Sequence, residues 1–174
     1  RAEVEIAGGA ESARSAIAQF CTEDYFRTLG IRIMGGRDLS PLPIGDEPRT
    51  VLINHTLAVT YFKNEDPIGR HLKLKSITGE TSLEIVGIVE DVRNGGIQKS
   101  IAPHVYLSGA TTGRANPVIF VRTSIDPVRM LNAMRGEVAG VDANVALRQP
   151  GSLQDALTVS LYAEARFSLI VLGI

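Results

Sequence analysis

Three histidines, one cysteine, several serines and some adjacent acidic pairs are the residues here whose chemistry could make a site. His55, His71 and His104 stand far apart and fall in unrelated predicted elements, with no second ligand at metal spacing. A zinc site needs three or four converging ligands, so these histidines read as ordinary surface or half-buried side chains. Cys21 ends an apolar stretch and has no neighbouring activator, which fits a small buried hydrophobe better than a nucleophile. Ser12, Ser15 and Ser40 lack the strand-turn-helix elbow that would expose a catalytic hydroxyl. The pairs Glu23/Asp24, Glu65/Asp66 and Glu90/Asp91 are sequence neighbours, and on a strand neighbours point to opposite faces. Paired-carboxylate catalysis is therefore poorly supported.

Phosphate and glycan chemistry fare no better. "AGGAES" and "MGGRDLS" carry glycine pairs, yet neither has a phosphate-loop spacing nor leads from a strand straight into a long helix. They read as turns. "NHT" at Asn54–Thr56 fits the glycosylation pattern, but Asn54 is better placed as a helix cap. Five phenylalanines, four tyrosines and no tryptophan leave little for base or sugar stacking, and they read as core.

The composition narrows the partners. Over 174 residues, 18 basic and 19 acidic side chains give a net charge of −1 without a basic cluster, which removes the electrostatic case for nucleic acid. Hydrophobic content of 44% with 21% charged residues suits a folded chain able to bury a core. A single cysteine excludes an internal disulfide and leaves the redox compartment open. No stretch reaches the roughly 20 apolar residues of a membrane span, and the abrupt start at Arg1 suggests a cytosolic protein or an excised fragment.

The elements that must position these residues alternate between α and β. "RAEVEIA" and "ARSAIAQFCT" predict strands, and Thr22 is placed to cap a short helix over "EDYFRTL", stopped by Gly30. A short strand at 31–34 gives way to a loop rich in Gly and Pro. "TVLI" predicts a strand, Asn54 the cap of the helix "HTLAVTYF", and Pro67 with Gly69 the break after it. "RHLKLKS" and "TSLEIVGIVEDVR" predict a hairpin, and "PHVYLS" a further strand. After the loop "GATTGRANP", "VIFVRT" predicts a strand, "DPVRMLNAMRGEVAGV" a helix capped by Asp126 with Pro127 in its first turn, and "ANVALRQP" another strand. That is a β-α-β unit. Ser152 caps a last helix that runs into the apolar "ARFSLIVLGI".

Taken in order, "YFRTLGIRIMGGRDL", "VLINHTLAVTYFKNEDPIGRHL", "LEIVGIVEDVRNGGI", "PHVYL", "VRTSIDPVRML" and "ARFSLIVLGI" resemble the extracytoplasmic core domain of MacB-like, FtsX-like ABC transporter permeases, over about residues 22–174. The resemblance implies an α+β (mixed α/β) fold of two lobes. A porter-like lobe would combine residues 1–37 with 114–165, a sabre-like strand-rich insertion would take 38–113, and 166–174 would begin a truncated transmembrane helix. It implies that the first porter elements precede Arg1. Tyr25, Phe26, Gly30, Gly36, Arg37, Asp66, Pro67, Gly69, Gly87, Asp91, Arg166 and Phe167 are then family-motif residues with structural rather than catalytic roles. Tyr25 and Phe26 would pack a helix on the sheet, and Arg166 would lie near the membrane interface.

The function so implied is non-enzymatic. A cytosolic ATP-binding subunit or domain would close on ATP, membrane helices would carry the motion outward, and paired extracytoplasmic domains of two permease copies would change their separation. The domain itself would hold no cofactor and would sit on the periplasmic side of a bacterial inner membrane. The compact middle segment departs from efflux-pump members with long adaptor-docking insertions. A ligand-binding or sensor module is the alternative reading. A hydrolase would require Cys21 within hydrogen-bond reach of a histidine.

Overall fold

The computed structural model describes residues 2–7, 14–41, 49–63, 65–76, 79–93, 100–109, 118–145, 147, 151–156 and 158. They divide between two compact units, one of Arg1–Gly95 with Ser100–Phe120, the other of Gly96–Lys99 with Val121–Ile174.

In the first unit the β-branched and alternating runs become seven strands: β1 (Ala2–Ala7), β2 (Arg14–Cys21), β3 (Ile33–Gly36), β4 (Thr50–Asn54), β5 (His71–Ser76), β6 (Gly79–Val89) and β7 (His104–Ser108). Two helices join them, α1 (Tyr25–Leu29) and α2 (His55–Phe62). The sheet runs β3-β6-β4-β7-β2-β1-β5, and β5 pairs β6 again. This second pairing is available because β6 is long: its first half, Gly79–Glu84, pairs antiparallel with β5, and its second half, Glu84–Val89, pairs parallel with β4. Six strands thereby close into a hydrogen-bonded ring, and β3 is added to the outer flank of β6. Closure removes free strand edges, which otherwise present unpaired amides and carbonyls.

Each face of the sheet has its own apolar cluster. On one side Val51, Ile53, Leu72, Leu83, Ile85, Val105 and Leu107 surround Leu57 and Ala58 of α2. On the other, Leu52, Val86, Val89 and Tyr106 pack with Cys21, Phe26 and Leu39. Alternation along β4 explains the division, since Leu52 points opposite to Val51 and Ile53. Fully burying a side chain such as Leu52, Ile53 or Ile85 stabilises the fold by about 1.5–3 kcal/mol, and all three are 0% exposed.

The β5–β6 hairpin, α2 and its Asn54 cap form as the sequence predicts. Thr22 does not cap α1. Asp24 takes the cap position in a left-handed conformation (φ 65°) with no side-chain cap bond, and the Thr22 carbonyl instead accepts from Tyr25 N at 3.3 Å. The third strand lies at 33–36 rather than 31–34, because Ile33, Gly35 and Gly36 are the residues that find partners on β6. The expected boundary between residues 37 and 38 does not separate compact units, since β1, β2 and β3 hydrogen-bond in the same sheet as β4–β7.

In the second unit α3 (Pro127–Val141) starts as expected, with Asp126 Oδ1 accepting from Val128 N at 2.7 Å and Pro127 in the first turn. Leu131, Met134 and Val138 are half-buried, Val128 is exposed, and no residue of the helix is fully buried. The first flanking strand of the expected β-α-β unit does not form among the described residues, and half of the second, residues 146 and 148–150, lies outside them. Residues 118–123 do not form a strand, and Val118 through Val121 are exposed. Beyond the helix, Asp142 Oδ1 accepts from Asn144 N at 2.8 Å and Val145 N donates to Asp142 O at 3.1 Å, so the chain turns over residues 142–145. Ser152 does cap the next helical turn, its Oγ accepting from Asp155 N at 3.0 Å. The expected membrane helix at 166–174, with Arg166 and Phe167, lies outside the described residues. Among the described residues no helix is long and apolar enough to cross a membrane.

Candidate functional site

The densest polar arrangement gathers where β4 ends. The apolar run Thr50–Ile53 carries Asn54 into the interior, 1% exposed, at the point where α2 begins. Its amide is saturated. Oδ1 accepts from Leu57 N at 3.1 Å and from His104 N at 2.9 Å, while Nδ2 donates to Asp91 Oδ1 at 2.7 Å and to Ala102 O at 3.0 Å. One side chain thus ties the start of α2, the segment after β6 and the entry to β7.

Asp91 completes the joint. Beside the bond from Asn54, its Oδ1 accepts from Thr56 N at 3.0 Å and its Oδ2 from Thr56 Oγ at 2.8 Å. His55 Nδ1, half-exposed, stands 3.7 Å from Oδ2. A carboxylate receiving donors from the first turn of a helix also opposes the positive end of the helix dipole. His104 is buried, its Nδ1 donates to Ala102 O at 2.9 Å, and its ring stacks on Tyr106 with centroids 5.9 Å apart. That bond fixes the proton on Nδ1.

A second constellation is aromatic. Phe26 on α1 meets Tyr106 edge to face at 5.1 Å and Tyr25 at 5.2 Å, and Tyr25 meets Tyr106 at 6.3 Å and Phe120 at 6.0 Å. Gln19 Nε2 donates to the Tyr25 hydroxyl at 2.6 Å. Such pairs add about 0.5–1.5 kcal/mol each beyond the area they bury.

The remaining motif residues hold backbone. Gly30 ends α1 in the left-handed conformation (φ 73°), its N–H directed to the Arg27 and Phe26 carbonyls. Gly36 (φ 77°) lies so close to β6 that a Cβ there would collide with Val86 O, and a Cβ on Gly87 would stand 2.5 Å from Arg37 O. Arg37 N donates to Val86 O at 2.9 Å, and its exposed guanidinium reaches Ser40 Oγ at 3.1 Å. In "DPIG", Asp66 Oδ1 accepts from Ile68 N at 3.0 Å, Pro67 is buried, and Gly69 N donates to Ile85 O at 2.8 Å. The turn is docked on β6.

The sequence-marked residues therefore fall into separate groups: Tyr25 with Phe26, Gly36 and Arg37 with Gly87, Asp66–Gly69 together, and Asp91 with Asn54. His55 and His104 both border the Asn54–Asp91 joint, yet among the described residues no three His, Cys, Asp or Glu side chains could hold a metal. Cys21 Sγ faces Leu107 O at 3.9 Å, and burial, with the charge of Asp38 a lesser cause, pushes its thiol up to about 12. A thiol so held is a poor nucleophile. Asn54 is too buried to accept a glycan. Sequence reasoning recognised Asn54 as a cap but missed its bonds to Asp91, Ala102 and His104, for which no local pattern exists.

No curated protein matches the chain. Among solved structures, the periplasmic region of MacB from Actinobacillus actinomycetemcomitans is similar, with a TM-score of 0.59 and 16% identity over 80% of this chain. This chain spans 63% of that one. A domain of a putative permease protein from Porphyromonas gingivalis gives a TM-score of 0.56 and 17% identity, covering 86% of this chain and 72% of that one. At such identity the likeness is one of fold. The sequence profile of the MacB-like periplasmic core domain matches residues 2–158, nearly the whole chain, and the chain belongs to that family.

Proposed function

We propose that this chain is the extracytoplasmic domain of an ABC transporter permease in a bacterial inner membrane, and that it passes ATP-driven motion to a substrate on the outer side without catalysing a reaction. Its partners in this reading are the membrane-spanning part of the permease, a cytosolic ATP-binding subunit and a second permease copy. ATP binds to that subunit. The family match over residues 2–158 carries the reading. The closed strand ring and the saturated Asn54 joint support it, because a body that transmits displacement must resist deformation, and packed, fully hydrogen-bonded interiors do so.

Spin labels test this. With Thr60→Cys, an exposed position on α2, in both copies of the full-length permease bound to its ATPase partner, ATP binding is expected to change the distance between labels. An unchanged distance, with ATP demonstrably bound, would rule out coupling through this domain.

A further inference from the structure

Between β7 and α3 the chain presents Val118, Ile119, Phe120 and Val121, and one of these is unlike the rest. Val118, Ile119 and Val121 are 75%, 62% and 49% exposed, whereas Phe120 is 39% exposed and its ring lies edge-on to Tyr25 at 6.0 Å. Tyr25 is itself held on three sides, by Phe26, by Tyr106 and by the amide of Gln19 on β2. Phe26 and Tyr106 are each 1% exposed. Phe120 is thus the outermost member of an aromatic series that reaches the sheet's interior. It is also the residue at which the described chain leaves the first compact unit, which ends at Phe120, for the second, which resumes at Val121.

We infer that Phe120 is a mechanical anchor: it clamps the departing chain to the Tyr25–Phe26–Tyr106 stack, so that displacement carried along the chain enters the sheet there. The inference rests on the coupling role proposed above, but the clamp itself is a property of this chain alone. Displacement carried along a chain reaches a sheet where a side chain of that chain is packed on it, and an edge-to-face aromatic contact on an immobilised ring supplies such a point. Val118 and Ile119, without such a contact, do not.

The first experiment uses this chain without partners. A spin label at Val118→Cys reports local mobility, and buried Cys21 is shielded from the reagent. Phe120→Ala is expected to narrow the label's spectrum to that of a mobile segment, Phe120→Tyr to leave it as in the parent, and Ile119→Ala to leave it unchanged. Equal mobility in the Phe120→Ala chain and the parent would overturn the clamp. Far-ultraviolet circular dichroism and the unfolding midpoint separate release of the segment from general unfolding.

The second experiment uses the full-length permease with its ATPase partner and the Thr60→Cys labels. Phe120→Ala is expected to abolish the ATP-dependent distance change and Phe120→Tyr to restore it. A normal change with Phe120→Ala would overturn the anchor's role in transmission. A parent permease that shows no ATP-dependent change would instead refute the coupling reading, and the mobility measurement would still decide whether Phe120 clamps the chain.

Discussion

Asn54 and Asp91, 37 residues apart, meet through a 2.7 Å hydrogen bond from the amide Nδ2 to the carboxylate Oδ1, and the other three bonding positions of that amide are filled by Leu57 N, His104 N and Ala102 O. Few side chains can donate twice and accept twice in one plane. The joint depends on asparagine for that reason.

Asn54→Ala strips partners from two buried amides, a carbonyl and a carboxylate at once. A loss of about 3–4 kcal/mol is expected from unsatisfied buried groups. Asn54→Asp should cost at least as much, since it replaces two donors by negative charge facing Asp91. Urea unfolding at neutral pH measures both, and a loss in Asn54→Ala no larger than that of an exposed substitution such as Thr60→Ala would refute the joint.

The Asp91–Thr56 contact can be isolated with a double-mutant cycle. Asp91→Ala and Thr56→Val each remove the 2.8 Å bond between Oγ and Oδ2. A hydrogen bond to a charged, partly shielded acceptor predicts a coupling energy of about 1–2 kcal/mol. Strictly additive losses would show that the hydroxyl bond contributes nothing.

Two glycines with nearly the same backbone should respond differently to alanine. Gly36 (φ 77°) has Val86 O where a Cβ would go, whereas at Gly69 (φ 81°) a Cβ would meet nothing within 4 Å. Gly69→Ala then bears only the left-handed conformation, about 1 kcal/mol, and Gly36→Ala adds a collision with β6 for a total of about 3 kcal/mol or more. Comparable thermal midpoints for the two variants would contradict the close approach of β3 to β6.

Cys21 links stability to alkaline pH. The thiol rises from 9.0 to about 12 on folding because burial disfavours the thiolate, with Asp38 adding repulsion. Between those values the unfolded chain has lost the proton that the folded chain keeps. The stabilisation is therefore full below pH 9.0 and declines toward pH 12, by about 1.4 kcal/mol per pH unit. Cys21→Ala should flatten that decline in denaturant titrations relative to the parent. Alkylation of the native chain at pH 8 should proceed only as fast as the protein opens. Rapid alkylation without unfolding would place the thiol at the surface.

Much of the local structure was legible. Asn54 before "HTLAVTYF" and Asp126–Pro127 before "VRMLNAM" mark helix starts because capping is a contact between residues a few positions apart. "RHLKLKS" and "TSLEIVGIV" form a hairpin because alternation fixes the faces and a short turn fixes the register. The same local reading failed at Thr22, where a left-handed Asp24 starts α1, and at "VIFVRT", which has the composition of a strand but does not form one over residues 118–123.

By itself, then, the sequence determined the hairpin, the capped helices, the buried apolar strands and, through the order of its motifs, the family. All of these follow from interactions short in sequence or from pattern. Tertiary structure alone decided that β6 is long enough to pair with both β5 and β4 and so closes the ring, and that Asn54 serves three chain segments rather than one helix. Both depend on groups dozens of residues apart arriving within 3 Å of each other, and hydrogen-bond geometry at that distance is set by the packed whole.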